Sequence, residues 1–342
     1  MIKQEQVYEI LENYLPFVKK AFKLTYDLNV EFDTEGSVDG KINARITRKK
    51  DVLLVTFTDY FIENIANSID YKYFADLDEE TASNCSSGFS SFLFRCFDGT
   101  TCLIEFKNLI AYFIVLNIFN HEISHYLLGH LDEDNKSFAE NEEDSEERGI
   151  TSLVKEYAAD TIGTLLTIHY IFIKNFSELT DFDIKDDKFT SYCVRQLFVT
   201  FLSAIYVQYD LLSQFSDNKN SMWEINKRSH PHIFVRMINS IHLLSEFIID
   251  RINEANNLTD DESSFVLSFF VDEQVKAMNP FFKSNFKLSL SKVNFSKEAW
   301  EQRFAIIDYA CEKGLCSEPK FTFNGFCKYS EEEKRKILDK CS

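Results

Sequence analysis

The residues best suited to chemistry in this chain are His121-Glu122-Ile123-Ser124-His125. On a helix, positions four apart are separated by about 40° of rotation and share a face. Two imidazoles at that spacing can reach one zinc ion, and the glutamate between them stands beside the open coordination position. That arrangement suits hydrolysis. Water held by zinc has a pKa near 7, so a neighbouring carboxylate can take its proton as the water attacks a carbonyl. His121 and His125 are therefore the expected metal ligands, and Glu122 the expected catalytic base. The run from Asn108 to Asn120 is apolar, so the motif is expected at the end of a buried, packed helix.

A third histidine at metzincin spacing would need Gly at 128 and His at 131, and both positions are leucine. If the helix continues, His130 lies about 140° around from His125 and cannot share its metal. A helix that ends at Gly129 would free His130 to turn towards the site. Downstream, Lys155-Glu156-Tyr157-Ala158-Ala159-Asp160 places Glu156 and Asp160 four apart on a second helix. An HExxH helix joined by a glutamate from a second helix resembles the gluzincin arrangement, which makes Glu156 the expected third ligand. Asp160, one turn later, suits the role of holding a ligand imidazole by its other N–H. Ala158, Ala159 and Gly163 are small, which lets the two helices approach closely. Seen alone, the Glu156/Asp160 pair would read as a solvated acidic face; behind HExxH the ligand reading is preferred.

A third block is Ser229-His230-Pro231-His232-Ile233-Phe234-Val235-Arg236. His230 is a candidate donor to a developing oxyanion, and Arg236 a candidate to anchor a carboxylate or brace the site. The same residues also read as a helix start, with Ser229 as N-cap and Pro231 in the first turn.

Together, NHEISHYLLGH, KEYAAD and RSHPHIFVR resemble the phage-exclusion peptidases of the Lit type, which carry the same three blocks in the same order. The likeness covers roughly residues 115 to 237 and departs from the family in a long acidic insertion between the first two blocks. The HtpX and CAAX-protease group is more distantly similar, but it is a membrane family. The resemblance implies a cytoplasmic protease with one Zn2+ ion that aborts phage infection. It also implies a host protein substrate, with elongation factor Tu the family precedent, and a phage-derived activator. Two other functions stay open: a regulatory protease that cleaves a repressor or other host protein, and a catalytically idle zinc protein that binds partners. Glu122 argues against the idle form, because a purely structural site fills its positions with ligands and has no use for a base.

The rest of the chain must position these groups. Its 342 residues carry a net charge of -18, which opposes nucleic-acid binding through phosphate neutralisation. The opening MIKQEQVYEILENYL is polar and reads as a helix start instead of an export signal, and the apolar runs are short for a membrane span. Eight cysteines without a CxxC pair fit a reduced cytosolic chain. Cys311, Cys316 and Cys327 cluster without the spacing of a standard zinc module.

The expected fold class is α+β and predominantly helical, a gluzincin-type core with a small N-terminal antiparallel sheet. Helical spacing runs over residues 5 to 24, with Pro16 expected to bend or split the helix. Strands are expected at Asn29 to Phe32, Ile42 to Arg48 and Val52 to Phe57, and a helix at Asp59 to Ser68. The Ser-rich stretch 78–101 reads as a loop over the site, and the acidic run Asp132 to Glu147 as a solvated loop beside it. Three segments follow: an N-terminal α+β region over 1–103, a helical zinc-peptidase core over 104–250, and a C-terminal helical region over 251–342.

Overall fold

The apolar stripe Leu11, Tyr14, Val18 and Phe22 becomes the buried face of α1 (Gln4–Tyr26). In the computed structural model, which describes residues 4–36, 44–68, 102–133, 145–179, 201–209, 211–212, 231–256, 297–313, 329–339 and 341, this helix runs unbroken through Pro16. Of the expected bend or split, the split does not occur. Pro16 lies on the solvent side, and the packed stripe behind it carries the helix past the missing N–H.

Three strands follow: β1 (Asn29–Glu35), β2 (Ala44–Lys49) and β3 (Val52–Thr58), in the spatial order β1-β3-β2. β3 takes the centre because it alone is buried on both faces, with Leu53, Val55 and Phe57 on one side and Thr56 and Thr58 on the other. The turn at Lys50 and Asp51, with Lys50 at φ 57°, makes β2 and β3 antiparallel. β1 pairs with the other edge of β3 and runs parallel to it. The sheet is therefore mixed, not antiparallel throughout. Strand spacing alone favours neighbours in sequence, whereas the burial of β3 inserts it between β1 and β2.

Helix α2 (Asp59–Ser68) follows β3 directly. Beyond it, the described residues include α3 (Cys102–Leu127), α5 (Ser145–Leu179), α6 (Ile233–Asn256) and α7 (Lys297–Glu312), with the short α4 (His130–Glu133) and α8 (Glu331–Asp339). A further helical stretch, 201–209, is buried along its whole length. The apolar run before HExxH is buried from Ile110 to Asn120 except for half-buried Tyr112, as expected of a helix inside the core. α3 lies against α5; α1 and β2 pack on α3, while α6 and α7 pack on α5. One hydrophobic core extends from Leu11 to Ala310, through all three segments of the chain. Among the described residues, no helix is long and apolar enough to cross a membrane.

The start of α6 differs from expectation. The helix begins at Ile233, and His232 caps it: its Nδ1 accepts the Phe234 N–H at 3.2 Å and its carbonyl accepts the Val235 N–H at 2.8 Å. Pro231 thus precedes the helix instead of entering its first turn, and Ser229 and His230 lie outside the described residues. A histidine can cap because its ring nitrogen, like a Ser or Asp oxygen, offers a lone pair one residue before the helix. Also outside are Cys316, Cys327, the whole of 78–101, 134–144 of the acidic run and the connections at Asn279–Pro280 and Gly314–Gly325. Cys311 lies in α7.

α6 and α7 meet where His242 packs edge-on against Trp300, at 5.2 Å between rings, beside Arg303. Burial, and then the Arg303 charge, hold the His242 imidazole down at about 3. An unfolded histidine takes a proton below about 6.5, while this one stays neutral, so stability is lost as pH falls from about 6.5. Chemical unfolding of wild type and His242→Phe at pH 8 and pH 5 checks this. Between those values the stability gap is expected to move by at most about 2 kcal/mol in favour of the variant. A gap independent of pH would show that the imidazole is not held neutral.

Candidate metal centre

The site is built where α3 crosses α5. Asn120, the residue before the motif, is buried and receives the Tyr14 hydroxyl on its Oδ1 at 2.7 Å. Its Nδ2 donates to Thr167 Oγ1 at 2.9 Å, and that hydroxyl donates to the Gly163 carbonyl at 2.8 Å. α1, α3 and α5 are thereby tied together beside the first ligand. At Gly163 the helices nearly touch: a Cβ there would sit 2.7 Å from the His121 nitrogen and 2.8 Å from its Cα. Ala158 and Ala159 are buried on the same helix; Thr161 donates its hydroxyl to the Tyr157 carbonyl, and Thr164 pairs its hydroxyl with that of Ser240 on α6.

This close crossing brings three ligating groups together. His121, His125 and Glu156 each offer one atom, all within 4.8 Å of one another, and the group is positioned to hold a metal ion. His121 Nε2 is 3.3 Å from His125 Nε2 and 3.4 Å from Glu156 Oε2, while His125 Nε2 is 3.6 Å from Glu156 Oε1. Two nitrogens and one oxygen, aimed at one point, suit a borderline cation such as zinc.

Behind the ligands stand partners that orient them. Asp160 Oδ1 lies 2.9 Å from His121 Nδ1, on the far side of the ring from Glu156. Arg236, from α6, donates to both Asp160 oxygens at 2.6 Å each, and its guanidinium lies 5.4 Å over the Tyr209 ring. Burial alone would raise the Asp160 carboxyl, but Arg236 and His121 outweigh it and hold the group below the usual carboxylate range. The same Asp160, with Glu156, outweighs burial at His121 and lifts that imidazole to about 10. A site that holds a proton this strongly is one where a cation is favoured, and a bound metal would displace that proton. Burial pushes the Glu122 carboxyl up to about 7, a range in which it can take or give a proton near neutral pH.

His130 is part of the same assembly. α3 stops at Leu127, Gly129 adopts φ 77°, and the chain turns so that His130 Nδ1 sits 2.9 Å from His125 Nδ1. Of the two readings left open by spacing, the helix stop is the one the fold adopts.

No known protein family, curated protein or solved structure matches this chain.

Of the residues singled out in the sequence, His121, Glu122, His125, Glu156, Asp160 and Arg236 are brought to one place. Arg236 braces Asp160 instead of presenting a free charge. His230 lies outside the described residues. The sequence did not point to the α7 contacts behind the ligand helix. Arg303 Nε donates to the Tyr157 hydroxyl at 2.9 Å, and Gln302 Oε1 accepts the His232 N–H at 2.8 Å. Their separation of 146 and 70 residues leaves no local pattern to read.

Gly163→Ala tests the crossing. The added methyl meets backbone, which cannot swing aside, so the helices must part at His121. The expected outcome is a loss of about 1–3 kcal/mol in unfolding free energy together with a marked fall in bound metal per chain, read by elemental analysis. Unchanged metal content would mean that the ligands tolerate a wider crossing.

Proposed function

We propose that this protein is a zinc-dependent endopeptidase of the gluzincin type, acting in the cytoplasm. The observation that carries the reading is the convergence of His121, His125 and Glu156 from two helices, with Glu122 on the same turn as the first ligand. Two histidines and a glutamate form a three-ligand set that leaves a coordination position free for water or substrate, as catalytic zinc sites require. When bound, zinc supplies Lewis acidity, polarising a carbonyl and making water acidic near neutral pH.

The chain's own residues do the remaining work. Glu122 takes a proton from water and returns it to the leaving amine; its raised proton affinity suits both halves of that exchange. Asp160 fixes the ring plane and tautomer of His121, and Arg236 keeps Asp160 ionised and still. His230 stands two residues before the α6 cap at His232, on the chain that leads to Arg236, and is proposed to donate to the developing oxyanion.

The biological role we propose is phage exclusion, with a host protein such as elongation factor Tu cleaved when a phage component activates the enzyme. This rests on the resemblance of the three sequence blocks to Lit-type peptidases, and the acidic character of the chain agrees with a protein, not a nucleic-acid, substrate.

Two variants separate chemistry from metal binding. Glu122→Gln is expected to retain zinc and lose proteolysis by 10²-fold or more, on the order of a general-base contribution. Glu156→Ala is expected to lose zinc itself, measured on the purified protein. Comparing new protein N-termini in cells expressing wild type or Glu122→Gln, with and without phage, identifies substrate and trigger together. If Glu122→Gln produced the same new termini and the same protection as wild type, the protease reading would fail.

A further inference from the structure

We propose that His130 is a positioning residue for the metal centre, holding His125 in the one tautomer that can ligate. The proposal rests on the metal-centre reading above and extends it to a residue outside the HExxH and glutamate set.

The geometry leaves little freedom. His125 Nε2 faces the other two ligands, 3.3 Å from His121 Nε2 and 3.6 Å from Glu156 Oε1. Its Nε2 lone pair must be free to ligate, so a neutral His125 carries its proton on Nδ1. That Nδ1 lies 2.9 Å from His130 Nδ1, with the two rings 5.2 Å apart and tilted by 58°. A donated Nδ1 proton needs a lone pair opposite it. His130 therefore accepts at Nδ1 and carries its own proton on Nε2.

This contact is built by the way α3 ends. Leu128 N–H reaches the Ser124 carbonyl at 2.9 Å and Gly129 N–H the Tyr126 carbonyl at 3.0 Å. Gly129 then takes the left-handed conformation at φ 77°, which a residue with a Cβ adopts only at a cost. The reversal starts α4 with His130 folded back over the last turn of α3. A continuous helix would have carried it about 140° away.

The two ligand imidazoles are thus held differently, His121 by a carboxylate and His125 by a neutral ring. Charge explains the asymmetry. Glu122, Glu156 and Asp160 already place three carboxyl groups here, and Arg236 is paired with only one of them. An imidazole at position 130 accepts the proton without adding a fourth carboxyl group to this cluster.

The test uses the full chain and zinc alone. His130→Gln keeps a carbonyl acceptor, and His130→Leu keeps bulk without one. Zinc affinity, measured by competition with a chromophoric chelator, is expected to fall about 10–100-fold in His130→Leu. In His130→Gln it should stay within about threefold of wild type, since the acceptor is restored. Equal affinity in all three proteins, or an equal loss in both variants, overturns the assignment. Nitrogen-15 NMR of the zinc-loaded wild type gives a second reading that needs no variant. It should show protons on His125 Nδ1 and His130 Nε2, and a proton on His130 Nδ1 would equally overturn it. Neither readout involves proteolysis, so a chain that binds zinc as expected but cleaves nothing would overturn the proposed function and leave the role of His130 standing.

Discussion

A backbone-to-backbone approach of two helices is the condition on which the metal centre depends. His121 and His125 come from α3 and Glu156 from α5, so their ligating atoms meet only if the helix surfaces are nearly in contact. Gly163 permits that contact at His121, and the buried Ala159, one turn earlier on the same face, keeps the α5 surface shallow there. Small side chains supply little apolar area, so the pairing is stabilised elsewhere. Ile114, Leu116, Phe119 and Leu153 pack around it, and the Tyr14–Asn120–Thr167 bonds pin the crossing point. The ligand geometry is therefore set by packing, and the side chains need only follow.

Charge is the second constraint. Taking Asp160 and Arg236 out of water is expensive, and such a pair seldom adds net stability. Its value here is positional. Two 2.6 Å bonds hold the carboxylate in one plane, Tyr209 supports the guanidinium from its face, and the remaining direction of Asp160 points at His121. The arrangement transmits the placement of α6 to a metal ligand on α3 through a residue on α5. α7 is coupled in the same manner, with Arg303 on the Tyr157 hydroxyl one residue from Glu156, and Gln302 on the backbone of the α6 cap.

Much of this was legible in the sequence because it is local. A four-residue spacing fixes a helical face, so His121 with His125, and Glu156 with Asp160, announce themselves wherever the helices lie. The small residues around Gly163 gave the approach of the two helices, and the apolar run before Asn120 gave a buried α3. What escaped depends on distant parts of the chain. The parallel pairing of β1 follows from β3 being buried on both faces, which no single strand reveals. α1 survives Pro16 because of a stripe on its opposite side. His232 displaced the expected cap because a ring nitrogen does the work usually done by a hydroxyl or carboxylate. His130 could be read two ways, and only the conformation of Gly129 decided between them.

The bond from Tyr14 to Asn120 bears on how such a centre can be inherited or transplanted. The ligands, their braces and the base all fall between residues 121 and 236, which suggests a portable cassette. Yet Asn120 receives its partner from 106 positions earlier in the chain, and Tyr157 from 146 positions later. A recombination event that moved only the middle segment to a new setting would carry the ligands and leave two buried polar groups without their partners. Both ends of the chain would have to travel with the centre, so lineages of this fold should evolve by substitution and loop insertion more readily than by shuffling its parts.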